Sequence, residues 1–286
     1  MAYIEHPLGK TFYQTRGRLK SGIPLICLHG GPGGDSRGLQ PMLTLGAERK
    51  VFIYDQIGGG QSSATKKKDW KIETFVRQLK ALIQAWGLDE FHLYGGSWGT
   101  TLALEYYIRT GGKKVKSLIF QSPMFSAKDW ANDCQKLILA LPKKDQQIIK
   151  TCQAIGATDA QVYKEAMLKF YRKHVLRNKE LLDQKIQKMG RSAGRHVYKH
   201  MWGDSEFFPT GTLRNYQGAR RLGDIGCPSL VICGQYDEAI PSRGQSYARK
   251  IPAGQFKLIK GASHAILTEK PGPMLKTISS FLREQT

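Results

Sequence analysis

The stretch Phe91-His92-Leu93-Tyr94-Gly95-Gly96-Ser97-Trp98-Gly99, continued by Thr100 to Ile108, decides how this chain is read. Four strand-forming residues run into a glycine-rich turn around a single serine, and a helix-like segment follows. A serine at such a strand–turn–helix corner is held with its hydroxyl exposed, where a base and hydrogen-bond donors reach it. The G-x-S-x-G spacing alone says little. With 31 glycines in 286 residues, chance supplies the pattern in roughly one such chain in five. The surrounding sequence has to carry the argument.

Upstream and downstream of this corner, short apolar runs recur: Phe12 to Thr15, Leu25 to Leu28, Val51 to Tyr54 and Leu118 to Phe120. Most are soon followed by Gly, Asp or Ser, as buried parallel strands are. Helical patterns lie between them. Glu73 to Trp86 places Phe75, Leu79, Leu82, Ile83 and Trp86 on one face, and Gly87 stops it. The alternation predicts an α/β fold, a mostly parallel sheet flanked by helices on both faces. The rhythm breaks after Ser122-Pro123. From residue 126 to 216 the sequence reads as helices only: Lys128 to Leu141, Lys144 to Ile155, Asp159 to Arg177, Lys179 to Met189 and His196 to Met201. Strand patterns return at Leu230 to Gly234 and Phe256 to Ile259, and a last helix spans Met274 to Leu282. The expectation is one sheet domain, 1–125 with 217–286, interrupted by an all-helical cap, 126–216.

A nucleophilic serine needs a base and an orienting acid. In sheets with such a corner the chain order is Ser, then Asp or Glu, then His. Asp237 follows the strand Leu230 to Gly234, at the carboxyl edge where sites of open sheets lie. His264 follows Phe256 to Ile259 at the same edge. The other histidines are terminal (His6), precede the serine (His29), sit inside a strand (His92) or belong to the cap (His174, His196, His200). Ser97, Asp237 and His264 are therefore the candidate triad. An oxyanion needs two N–H donors. Trp98, the residue after the serine, offers one. The turn His29-Gly30-Gly31-Pro32-Gly33-Gly34 offers another, with Gly31 the candidate; read alone, such a turn is more often structural, but its place in a chain with such a corner favours the donor reading. Gly58-Gly59-Gly60, after Asp55-Gln56, lacks the G-x-G-x-x-G spacing of a dinucleotide site and is read as a buried loop bracing the corner.

Composition narrows the class further. The chain is 41% hydrophobic, hence globular. No apolar stretch approaches the ~20 residues of a membrane span, and Met1 to Lys10 has no signal-peptide core. The five cysteines form no C-x-x-C pair and are expected as buried thiols in a reducing cytoplasm. The histidines show no metal-ligand pairing. The charge is +21, from 44 Lys and Arg against 23 Asp and Glu. These bases are scattered, with Lys66-Lys67-Lys68 the only tight run, so a solvated basic surface is favoured over a nucleic-acid site.

Taken together, His29-Gly30-Gly31-Pro32-Gly33, Asp55-Gln56 with Gly58, Gly60 and Ser62, and Gly95-Gly96-Ser97-Trp98-Gly99 resemble the proline iminopeptidase (prolyl aminopeptidase) family. The likeness continues through Met201-Trp202-Gly203-Asp204-Ser205-Glu206-Phe207 with Gly211-Thr212-Leu213, and through Gly234-Gln235-Tyr236-Asp237-Glu238 with Pro241, so it spans core and cap. The resemblance implies an α/β-hydrolase fold with an inserted cap. It implies a serine aminopeptidase that takes peptides with a free N-terminus and needs no cofactor or metal. It further implies that Glu206 and Glu238 hold the substrate's terminal ammonium; by sequence alone Glu206 reads as a surface residue. The resembling cap motif often has Pro where this chain has Asp204, which would either enlarge the acidic pocket or move the loop carrying Glu206. Met124 and Phe125 are candidates for a pyrrolidine pocket or for the core. The alternatives are an amino-acid amidase, a broader aminopeptidase or an esterase on the same scaffold. More remote is a non-enzymatic protein binding acidic partners.

Overall fold

Strands buried on both faces need apolar residues at every position, and four short runs of this chain supply them. In the computed structural model, which describes residues 2–190 and 194–285, they become the middle of one sheet. Its strands are β1 (Ala2–His6), β2 (Gly9–Arg16), β3 (Leu25–Leu28), β4 (Val51–Tyr54), β5 (Phe91–Gly96), β6 (Val115–Gln121), β7 (Ser229–Gly234) and β8 (Gly254–Ile259). The spatial order is β1-β2-β4-β3-β5-β6-β7-β8. Strands β3 to β8 run parallel. Leu25, Cys27, Val51, Ile53, Ile119, Leu230 and Ile232 point into one hydrophobic layer. Ile26, Leu28, Phe52, Tyr54, Leu118, Phe120 and Val231 point into the other. This period-two division is what two-sided burial demands.

The sheet is mostly parallel, as expected, and the exception lies at one edge. β1 was not foreseen, and β2, the run Phe12 to Thr15, pairs antiparallel with both β1 and β4. β1 alternates half-buried with exposed positions, so its sequence carries no apolar run. His6 and Gly9 close a tight hairpin, which forces antiparallel pairing.

Helices α1 (Ile72–Ala85), α2 (Trp98–Thr110) and α8 (Pro241–Lys250) flank the sheet, and α9 (Ile266–Glu269) with α10 (Pro271–Arg283) pack on the opposite layer. α1 buries Phe75, Val76, Leu79, Leu82 and Ile83, and Trp86 just beyond it stacks on Phe52 with ring centroids 4.3 Å apart. Between β6 and β7 come α3 (Ala127–Ile138), α4 (Lys143–Ala154), α5 (Gln161–His174), α6 (Lys179–Gly190) and α7 (Arg195–Met201). The chain enters and leaves this helical insertion side by side: Ser126 bridges Gln217, and Ala127 N–H donates to Tyr216 O at 3.1 Å. α3 is tied back to α8. Arg243 donates to both oxygens of the buried Asp133 at 2.8 and 3.1 Å, and Tyr247 Oη donates to Asp129 at 2.8 Å. The insertion thus sits over the carboxyl edge of the sheet on a closed stem.

His92, inside β5, shows what full burial does to a titratable group. Its Nδ1 meets Ser117 Oγ at 2.8 Å. Burial, with Arg49 and Lys116 adding positive charge, pulls its pKa from the ordinary 6.5 down to about 3. The unfolded chain therefore binds a proton that the folded chain refuses. The stability this contributes is present above the unfolded value and is lost as pH falls toward the folded one. Urea melts from about pH 7 to pH 4.5 are expected to show that decline. His92→Asn, which keeps a partner for Ser117 but does not titrate, makes the decline shallower. An unchanged slope in the variant contradicts this account.

Candidate active site

β5 ends at Gly96 and α2 begins at Trp98, so Ser97 alone makes the corner. Its φ of 53° and ψ of −122° lie where side-chain-bearing residues are rarely found, and such strain persists only where the surroundings impose it. They do so by backbone contact. A Cβ on Gly95 would strike the main chain of Gly99, and one on Gly99 would strike the Leu28 carbonyl. Only glycine lets the first turn of α2 lie directly on β5 and β3. Ser97 N–H donates to Gln121 O at 2.9 Å, and Ser97 O accepts Thr100 N–H at 2.8 Å.

Asp237 lies in the loop after β7 and is 1% exposed. Its Oδ1 accepts His264 Nδ1–H at 2.8 Å and Ala239 N–H at 3.0 Å; its Oδ2 accepts Ser122 Oγ–H at 2.5 Å and Gly234 N–H at 3.1 Å. An ionised carboxylate only accepts, so the hydrogen between them sits on Nδ1, and Nε2 is the ring nitrogen that Asp237 leaves unused. Gln121 links this pair to the corner. Its main-chain oxygen takes the Ser97 N–H, while its side-chain amide donates to His264 O at 2.9 Å and to Ser122 Oγ at 2.7 Å. The three residues singled out by chain order are thus brought to one edge.

The turn after β3 supplies the opposite wall. Gly31 has φ 59°, and a Cβ built on Gly30 would stand 3.0 Å from Ser97 Cβ, so this turn faces the serine. Trp98 N–H stands in the first turn of α2, where helices have no carbonyl to offer it. Both candidate donors therefore flank Ser97. The loop after β4 braces them. Asp55 accepts Ser36 N–H at 2.7 Å, Ser36 Oγ–H at 2.6 Å and Gln61 N–H at 2.8 Å. Gln56 donates to His29 O at 3.0 Å and accepts the Trp98 indole N–H at 2.8 Å. A Cβ on Gly59 would collide with the Gly33 and Gly34 carbonyls. Gly59 thus allows close backbone contact between this loop and the turn after β3. Burial lowers the His29 pKa, which keeps its Nε2 free to accept the Gln56 N–H at 3.0 Å.

Glu238 follows Asp237 and is 2% exposed, with Oε1 3.7 Å from His264 Nδ1. Glu206 comes from the cap loop after α7. Its Oε2 accepts Tyr198 Oη–H at 2.5 Å, and its carbonyl accepts the indole N–H groups of Trp130 at 3.1 Å and Trp202 at 3.3 Å. Trp130 also sets its ring edgewise to His264, centroids 5.7 Å apart. After burial itself, the negative charges of Glu206 and Glu238 together hold the Tyr171 and Tyr198 hydroxyls and the Cys134 thiol in their protonated forms, well above their ordinary pKa values. Both carboxylates thus act on the same three buried groups, which places them near one another.

Known proteins show the same plan. A family model described as alpha/beta hydrolase fold matches residues 23–271. The chain is 35% identical over 281 residues to a proline iminopeptidase of Heyndrickxia coagulans, covering 98% of this chain and 97% of that one. The chain belongs to the proline iminopeptidase family of α/β hydrolases. Among solved structures, a proline iminopeptidase of Mycobacterium smegmatis superposes with a TM-score of 0.87 at 28% identity, over 99% of this chain and 98% of that one. The crystal structure of VinJ gives 0.90 at 27%, over 100% and 98%.

Asp204 contributes no carboxylate to the Tyr198–Glu206 contact. Its carboxylate is exposed and pairs with Lys199 at 2.9 Å. Phe125 is fully buried between Phe120 and Tyr247, centroids 4.8 and 5.3 Å away, as the core alternative has it. Met124 is buried with it, its main chain bonded to Thr100 and Thr101. Tyr198, Tyr171, Trp130 and Gln121 escaped the sequence reading. For Trp130 and Tyr198 the available signal was aromatic residues on cap helices, which packing alone also explains.

The bracing role of Asp55 generates a test. Asp55→Ala strips partners from two buried or half-buried N–H groups and one hydroxyl, so it is expected to cost about 3 kcal/mol in urea unfolding, at ~1.5–3 for each bond to a charged group less what relaxation recovers. A loss under about 1 kcal/mol would refute the brace.

Proposed function

We propose that the chain is a serine hydrolase that releases N-terminal proline from peptides, with Ser97, Asp237 and His264 as its triad. The observation that carries this reading is the buried Asp237–His264 pair at the Ser97 corner, with Glu206 and Glu238 near one another. Ser97 Oγ attacks the carbonyl of the first residue while His264 Nε2 takes its proton. Asp237 fixes the imidazole tautomer and stabilises the imidazolium. The N–H groups of Gly31 and Trp98 receive the oxyanion. His264 then protonates the leaving amine, which departs as the shortened peptide. Water, deprotonated by His264, opens the acyl-enzyme and frees proline. Every proton and electron pair is accounted for without a cofactor.

Glu206 and Glu238 anchor the substrate's ammonium by charge-assisted hydrogen bonds and so measure one residue from the chain end. An internal or blocked peptide would bury these acids against no cation, which is costly. Proline iminopeptidase relatives over nearly the full length support proline as the residue removed. The five cysteines are buried free thiols, which supports a reducing compartment such as the cytoplasm. Among the described residues no helix is long and apolar enough to cross a membrane.

Purified protein is expected to liberate naphthylamine from proline β-naphthylamide, and Ser97→Ala to liberate none. A wild-type protein as inert as that variant overturns the reading. Glu206→Gln and Glu238→Gln should each raise KM for the prolyl substrate by about tenfold or more, the scale of a lost charged hydrogen bond, while sparing a small neutral ester. Equal losses on both substrates would remove the ammonium role.

A further inference from the structure

The last turn of a helix leaves carbonyls without partners. At the end of α5 in the cap, two such groups are taken by the loop of the catalytic base. His264 N–H donates to His174 O at 3.0 Å, and Ala265 N–H donates to Val175 O at 2.9 Å. The His174 imidazole reaches the other loop: its Nδ1 lies 2.9 Å from Tyr236 O, one residue before Asp237. A carbonyl only accepts, so Nδ1 carries the hydrogen. Three residues on, Arg177 stacks over the Tyr236 ring at 4.1 Å and donates its N–H to Glu269 Oε1 at 2.5 Å. The second oxygen of Glu269 holds Ser263, adjoining His264, through its N–H at 2.6 Å and its hydroxyl at 2.8 Å.

Packing does not explain a histidine here. His174 is buried, and its Nε2 finds no partner. An apolar residue would fill the place against Phe170 without stranding a polar atom. What the imidazole adds is the Nδ1–H bond to the acid's loop. We infer that the end of α5, His174 to Arg177, bolts the loops of Asp237 and His264 to the cap, with His174 as a positioning residue for the triad. This rests on the assignment of Ser97, Asp237 and His264 to catalysis. The cap then does more than present Glu206 to an ammonium. It holds the base and the acid in register, so chemistry on any acyl group depends on it.

The test compares wild type, His174→Phe and His174→Asn. His174→Phe keeps a ring against Phe170 but loses the donor; His174→Asn places an amide N–H near the position of Nδ1. Three readouts are taken: kcat and KM for proline β-naphthylamide, turnover of p-nitrophenyl acetate, and the rate at which a fluorophosphonate labels Ser97. In His174→Phe, kcat, ester turnover and labelling are each expected to fall about tenfold with KM within about twofold, because misplacing a base costs rate rather than binding. His174→Asn should recover most of the loss. Wild-type rates in His174→Phe, equal losses in both variants, or a rise in KM alone would overturn the inference. If His174→Phe does not fold, Glu269→Gln tests the other limb: the same fall in labelling supports the bolt, and an unchanged rate refutes it. A wild type that is labelled but spares proline would sink the substrate assignment alone.

Discussion

The hydrogen bond between Asp237 and His264 is the constraint around which the rest is arranged. A buried carboxylate is costly unless its lone pairs are filled. Asp237 has about four acceptor positions, and all are used: the imidazole, the Ser122 hydroxyl and the N–H groups of Gly234 and Ala239. These donors come from the ends of β6 and β7 and from the loops after β7 and β8. To satisfy one buried acid, the sheet must align several strand ends at one edge. Gln121 extends that alignment to Ser97, because one residue receives the Ser97 N–H and holds the His264 carbonyl.

The edge near Ser97 carries the opposite sign of charge to the molecule as a whole. The chain carries +21, yet Glu206, Glu238 and Asp237 gather beside Ser97. Exposed bases are screened within about 10 Å at ordinary ionic strength, so the scattered lysines and arginines leave the acidic interior its local character. Tyr198 ties cap to core: it donates to Glu206, and its ring is the nearest atom group to the space a Cβ on Gly31 would occupy. Glu206 and the turn at Gly31 thus meet across a single tyrosine.

How far the sequence could be read depended on how locally each feature is encoded. β3 and β4 were legible to the residue because burial on both faces writes them as unbroken apolar runs. The five cap helices were legible through their apolar spacing. β1 was not, because an edge strand alternates half-buried and exposed residues. Ser97, Asp237 and His264 were found because each closes or follows a strand at the same edge. Glu206 needed the family resemblance, since a cap loop has no periodicity to place it. Phe125 sits just past a strand end and was equally a pocket or a core residue until its neighbours Phe120 and Tyr247 were known.

The sequence by itself determined the strand and helix rhythm, the glycine-framed corner at Ser97 and the chain order of its acid and base. Those features are written in residues a few positions apart. Only the tertiary structure decided that Asp204 turns out to Lys199 while Glu206 turns inward. It also decided that His264 turns Nδ1 to Asp237, and that the end of α5 grips the loops of both residues. Each of those outcomes depends on which groups share a buried volume. Partners such as Gln121 and His264, distant in the chain, meet only when the sheet and its cap are assembled.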